Sequence, residues 1–280
     1  MTPSPSPIPQ PPRVAFLGPS GTFTDMAARE LFPRVAEFVQ APTIEGVFDA
    51  IRRGAAAYGV VPIENSTEGS ITSAVDALIE GGLFIRRELV LEISHCLISM
   101  NAQLTQIQRV YSHPQALAQC RDWLAEHLAT AELVPASSTA AAAQEALKDS
   151  HAAAIGSRLA AELSGLPVLC DGIQDLAENA TRFALIALED APRTGDDKTT
   201  VAFAVRDSRG ALRRVLEVLD EHGISLTRIE SRPSRQKAWD YVFLADLAGH
   251  REEHHIAAAL LVLGERCPML RILGSYPRFR

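Results

Sequence analysis

Residues 13–31 read RVAFLGPSGTFTDMAAREL. The first five form a short apolar run, which stops at Gly18-Pro19-Ser20-Gly21-Thr22. From Thr24 to Leu31, apolar Met26, Ala27 and Leu31 return at helical spacing. A strand, a glycine-bearing turn and a helix make the opening unit of an α/β layer fold.

The unit recurs along the chain. Residues 43–53 read as a helix, 57–62 as a buried strand, 63–70 as a polar loop and 70–79 as a helix with Ser or Thr caps. Strands are expected around 89–93 and 96–98. Strand–helix pairs are expected at 110–112 with 114–128, 133–135 with 138–147, and 152–155 with 157–163. After a strand at 168–170, residues 172–179 read as a loop or short helix, and 182–188 as a strand. Such alternation predicts a mostly parallel sheet, or two small ones, with ligands at the carboxyl ends of strands. Beyond the polar linker EDAPRTGDDK (189–198) the pattern changes. A strand at 199–205 leads to a helix at 210–222 with Leu212, Val215, Leu216 and Leu219 on one face. Strands at 224–232 and 239–247 flank a turn at 234–237, followed by a helix at 252–266 and a strand at 270–275. That order, βαββαβ, is ferredoxin-like. The prolines of residues 1–12 predict an extended, poorly ordered tail.

Composition narrows the function. The 280 residues carry 27 basic and 34 acidic side chains, a net charge of -7. Residues 199–280 hold 13 basic and 10 acidic residues, leaving 14 and 24 for residues 1–198: +3 against -10. An acidic chain makes a poor general nucleic-acid binder, and no apolar run reaches the roughly 18 residues of a membrane span. The four cysteines, Cys96, Cys120, Cys170 and Cys267, form no CxxC pair. Their spacing excludes metal-knuckle and thioredoxin-type sites and fits free thiols. The N-terminus lacks the basic start and apolar stretch of a signal peptide, so a cytoplasmic protein is expected. Adjacent His254 and His255 make a poor metal pair. No metal and no cofactor is expected.

Four polar clusters sit at strand-to-helix turns. Residues 18–24, GPSGTFT, combine glycines and hydroxyls with a helix start, and read either as an anion site or as an ordinary capped turn. Residues 64–70, ENSTEGS, place six hydrogen-bonding side chains in seven positions after a buried strand, either a site or a solvated turn. In YSHPQ (111–115), Ser112 is placed to cap a helix with Pro114 in its first turn. His113 reads as either a proton donor or a helix-entry residue, and Gln119 lies one turn beyond Gln115. In NATRF (179–183), Arg182 suits either bidentate grip of a carboxylate or a surface ion pair, and Thr181 reads as a β-prone strand residue. No GxSxG elbow is present.

The strings GPSGTFT (18–24), GVVPIENSTEGS (59–70), YSHPQALAQC (111–120) and NATRF (179–183), in this order, resemble the prephenate dehydratase family. GAL (210–212) and ESRP (230–233) resemble that family's regulatory ACT domain. The resemblance runs from about Arg13 to the end. It implies two α/β lobes like type 2 periplasmic binding proteins over residues 13–190, a linker at 191–198 and a ferredoxin-like ACT domain over 199–280. It also implies conversion of prephenate to phenylpyruvate, water and CO2, without a cofactor. By the same resemblance Thr181 belongs to the chemical step, with Glu64, Asn65, Ser112, His113 and Gln119 as the other catalytic polar residues. Substrate binding falls to Ser20, Thr22, Ser66, Ser70, Arg182 and Phe183, with Arg182 and the helix starts at Thr22 and Ser70 holding carboxylates. Gly210, Ala211, Leu212, Glu230, Ser231, Arg232 and Pro233 are implied to bind L-phenylalanine, in a homodimer or homotetramer. Arg209 and Arg213 depart from the family's usual proline and small apolar residue around GAL. The competing readings are arogenate dehydratase, a non-catalytic small-acid binding protein, and the effector half of a transcription regulator.

Overall fold

A computed structural model describes residues 11–34, 36–233 and 241–279. The expected turn at 234–237 and most of the proline-rich tail lie outside the described residues. In chain order the elements begin with β1 (Arg13–Leu17), α1 (Phe23–Leu31), β2 (Glu37–Ala41), α2 (Ile44–Arg52), β3 (Tyr58–Asn65), β4 (Gly69–Ser70), α3 (Thr72–Glu80) and β5 (Phe84–Glu92). They continue with β6 (Cys96–Ile98), β7 (Arg109–Ser112), α4 (Pro114–Gln119), α5 (Arg121–His127), β8 (Glu132–Pro135), α6 (Thr139–Leu147), β9 (Ala152–Gly156), α7 (Arg158–Ser164), β10 (Val168–Cys170) and β11 (Ala180–Ala187). The last six are β12 (Asp197–Ala204), α8 (Ala211–Glu221), β13 (Leu226–Pro233), β14 (Tyr241–Ala248), α9 (His254–Arg266) and β15 (Met269–Pro277).

The chain divides into two compact units, residues 1–60 with 92–179 and residues 61–91 with 180–280. In the first, β1 pairs in parallel with β2 and with the opening residues of β3. A second sheet has the order β10-β6-β9-β7-β8. Its β9, β7 and β8 are parallel, as expected, whereas β6 runs antiparallel to both of its neighbours, β9 and β10. Ala142, Ala143 and Ala146 of α6 and Ala160 and Ala161 of α7 pack with Ala152 and Ala154 of β9, and methyl side chains let these backbones approach closely. Thr22, Thr43, Ser138 and Ser157 cap α1, α2, α6 and α7 through their hydroxyls, each accepting from the amide three residues on.

Departures from the sequence expectation have local causes. The single helix expected over 114–128 breaks at Cys120, because the Asp175 carboxylate accepts from the amides of Asp122 and Trp123 and caps a second helix there. Ser112 is not a cap: its hydroxyl donates to Ile155 O at 2.8 Å, and His113 caps α4 through Nδ1. Strand β2 was not expected, since its polar Glu37 and Gln40 blur the alternation of an edge strand.

In the second unit, β11 lies between the later part of β3 and β5, and β4 pairs back on β3. The expected polar loop at 63–70 is therefore a hairpin, with Glu64 opposite Ser70 and Asn65 opposite Gly69. Its turn is closed by Asn65, whose Oδ1 accepts from the Thr67 amide at 3.0 Å and the Glu68 amide at 3.3 Å. Ser70 thus belongs to a strand; α3 starts at Thr72, with no side-chain cap. Residues from Asp197 onward form βαββαβ with the antiparallel order β13-β14-β12-β15. Val215, Val218 and Leu219 of α8 and Ile256, Ala259, Leu260 and Leu263 of α9 fill one side of that sheet. Gly274 of β15 lies so close to the Ile85 backbone of β5 that a Cβ would sit 2.3 Å from its carbonyl oxygen, an approach only glycine permits.

Candidate active site

Side chains alternate across a strand, and that pleat sorts the polar string of the second unit into two groups. Asn65 and Thr181, both buried, meet across β3 and β11: Asn65 Nδ2 donates to Thr181 Oγ1 at 2.9 Å. Asn65 Oδ1 is taken by Thr67 and Glu68, which sets the amide so that its nitrogen faces Thr181 and Ala180 O. Ser66 ties the turn to β11, donating its amide to Ala180 O at 2.8 Å and accepting the Ala180 amide on Oγ at 2.9 Å. Thr181 Oγ1 accepts this hydrogen bond and donates to no described residue, and the incoming donor stabilises the negative charge that proton loss would leave.

Glu64 and Arg182, one residue along each strand, belong to the other group. Arg182 lies 3.4 Å from Glu64, 3.2 Å from Asp246 and 3.9 Å from Glu88. Lys198 joins Glu88 at 2.7 Å and Asp246 at 3.3 Å, and Arg228 reaches Glu64 at 3.3 Å. The guanidinium expected to grip a substrate carboxylate is thus committed to three carboxylates of the protein. Burial alone would raise the Asp246 carboxyl, but Lys198, Thr200, Arg228 and Arg182 outweigh it and hold the group below the usual range. Tyr276, fully buried beside Asp246, is pushed well up, first by burial.

In the first unit, Gln119 Oε1 accepts from Asn179 Nδ2 at 3.2 Å and lies 2.9 Å from His95 Nε2. Both contacts fall on the Gln119 amide oxygen. His95 is buried, stacks edge-on with Phe23, and its Nδ1 has no hydrogen-bond partner among the described residues. Burial lowers its pKa, against the opposing hydrogen bond of Gln119. His95 is not among the residues expected from the sequence, being a single histidine inside the largely apolar run LVLEISHCLISM (89–100). Folded His95 takes up a proton less readily than the unfolded chain, whose value is 6.5. Stability should therefore fall as pH drops below about 6.5. Urea midpoints between pH 7.5 and 5 measure this, and a His95→Gln variant with an unreduced slope would refute it.

The remaining expected residues are placed as follows. Thr22 caps α1, and Ser20 Oγ accepts from Gln40 Nε2 at 2.8 Å. Phe183 is a core side chain, 1% exposed. Ser70 binds Glu230 and Arg228 rather than opening a helix. Gly210, at φ +76°, is the backbone N-cap of α8, Ala211 starts that helix, and Leu212 packs on the core beneath. On β13, Glu230 and Arg232 face inward, Arg232 pairing with Asp76 of α3, while Ser231 and Pro233 are exposed. Arg209 accepts on its carbonyl from Arg214, and Arg213 pairs with Glu217 on the helix surface. Among the described residues no cluster of three or more His, Cys, Asp or Glu is arranged to hold a metal, and all four cysteines are free.

The prephenate dehydratase family model matches residues 14–191. The chain belongs to the prephenate dehydratase family. The ACT domain model matches residues 199–265. The chain is 45% identical over 266 residues to the bifunctional chorismate mutase/prephenate dehydratase of Aquifex aeolicus, covering 95% of this chain and 74% of that one. It is 40% identical over 280 residues to a prephenate dehydratase of Mycobacterium sp. (strain JLS), covering 95% and 89%. Among solved structures, a prephenate dehydratase of Arthrobacter aurescens in complex with L-Phe superposes with a TM-score of 0.86 at 39% identity, covering 95% and 90%. Membership in the prephenate dehydratase family makes the chain a lyase that performs a decarboxylating dehydration.

Proposed function

We propose that Thr181 and Asn65 carry the chemical step by which this chain converts prephenate to phenylpyruvate, water and CO2. In that reaction the ring carboxylate leaves as CO2, its bonding electrons enter the ring, and the hydroxyl at the opposite carbon departs as water after taking one proton. Ring aromatisation drives the step, so the protein's task is to deliver the proton and hold two carboxylates. The observation that carries the assignment is the hydrogen bond from Asn65 Nδ2 into Thr181 Oγ1, which leaves the hydroxyl proton to point at a leaving group. Within the first unit, Gln119, Ser20 and Thr22 are the proposed polar contacts for a substrate carboxylate. Glu64 and Arg182 act in this reading as the charged support beneath Asn65 and Thr181.

Regulation by L-phenylalanine is the second part of the proposal. A cavity of about 330 Å³ lined by Val205, Arg206, Ser208, Ala211, Arg214 and Val215 lies at the start of α8, a size that suits a small ligand. The similar Arthrobacter aurescens protein was solved with L-Phe bound. The proposed organisation is a catalytic domain over 13–190, a linker at 191–198 and a regulatory domain over 199–280. It would work as a cytoplasmic homodimer or homotetramer; no described helix is long and apolar enough to cross a membrane. Purified chain given prephenate should release phenylpyruvate, and millimolar phenylalanine should slow that release. Faster turnover of arogenate than of prephenate would overturn the substrate assignment. Unchanged rate, assembly and melting with phenylalanine would remove the regulatory one.

A further inference from the structure

The hairpin that carries Asn65 is short. Its second strand, β4, has two residues, and a two-stranded hairpin of that size holds together poorly without outside support. Support comes from β13. Along that strand Arg228, Glu230 and Arg232 turn inward while Thr227, Ile229, Ser231 and Pro233 are exposed. Arg228 Nε lies 3.3 Å from Glu64 Oε2, and its NH2 group donates to Ser70 Oγ at 2.6 Å and to Glu230. Glu64 and Ser70 are the cross-strand partners at the open end of the hairpin. One guanidinium therefore spans both strands of the hairpin, and Glu230 holds that guanidinium and also accepts from Ser70.

We propose that Arg228 is a positioning residue for the reaction: it clamps the Glu64–Ser70 pair and so fixes the turn from which Asn65 orients the Thr181 hydroxyl. The proposal rests on the assignment of Asn65 and Thr181 to the chemical step. A planar fork with several donors suits the task, whereas an ammonium would have to choose among three partners. Removing the clamp leaves Glu64 with Arg182 at 3.4 Å and leaves Glu230, whose side chain is 31% exposed, with Ser70 and solvent, so the hairpin loosens without a fully buried carboxylate being left unpaired. A loss of geometry of this kind lowers turnover more than it lowers binding.

Arg228→Met should reduce kcat about tenfold or more and change KM less than about threefold, with the melting midpoint nearly unchanged. Arg228→Lys should recover part of the loss. In an Asn65→Ala background, Arg228→Met should cost less than about threefold further, because the two act through one geometry. A kcat within twofold of the parent, or the same tenfold loss in the Asn65→Ala background, would overturn the proposal. If Arg228→Met does not fold, Arg228→Gln is read by the same criteria. Thr181→Ala, measured in parallel, separates the cases: full activity there would sink the assignment of the chemical step, whatever Arg228 does.

Discussion

Thr181→Ala is expected to lower kcat for phenylpyruvate formation by about 10²- to 10⁴-fold, the range for a positioned proton-transfer group. Thr181 is 7% exposed, and its hydroxyl accepts from Asn65 Nδ2 at 2.9 Å and makes no donated hydrogen bond among the described residues. Its proton therefore has no internal destination among the described residues. Methyl-for-hydroxyl exchange tests the same point without a cavity: Thr181→Val should be as inactive as the alanine variant, and Thr181→Ser should keep a measurable share of turnover. Steady-state assays with circular dichroism as the control for folding would read this. Activity within tenfold of the parent for Thr181→Ala would show that the proton comes from elsewhere.

The second large effect is on stability. Lys198→Met should destabilise the protein by about 3–5 kcal/mol, the usual cost of breaking a buried ion pair from one side. Lys198 is 9% exposed and joins Glu88 and Asp246, which are 5% and 3% exposed. Methionine matches the stem in length but leaves both carboxylates dependent on Arg182, at 3.9 Å and 3.2 Å. Tyr276, whose ring lies 5.3 Å from Lys198 Nζ, supplies no compensating charge. The exposed Arg213–Glu217 pair provides the contrast: Arg213→Ala should cost less than about 0.5 kcal/mol, because solvent already screens it. Urea unfolding measures both, and a Lys198→Met loss below about 1 kcal/mol would mean that the cluster is not a stability element.

Much of the fold was legible locally. The helix caps at Thr22, Thr43, Ser138 and Ser157 and the βαββαβ order follow from hydrogen-bonding side chains and periodicities within a few adjacent residues. The break at Cys120 was not legible, because its cap, Asp175, lies more than 50 residues away. Residues 63–70 read as one polar loop for a related reason: a cluster of hydrogen-bonding types looks the same whether it meets water or closes a hairpin on Asn65.

For the candidate site, residue types and order pointed to the family and to Thr181 and Asn65 together. They also put Glu64 and Arg182 in the same list, since neighbours in sequence look like neighbours in function. The pleat separates them, turning Asn65 and Thr181 toward each other and Glu64 and Arg182 toward Arg228 and Asp246. The sequence by itself determined most of the elements and the family, because those depend on contiguous residues and on motif order. Only the tertiary structure decided which charges are shielded from water and which of them pair. Those properties arise from residues 64, 88, 182, 198, 228 and 246 meeting across strands far apart in the chain, where burial and pairing set their energies.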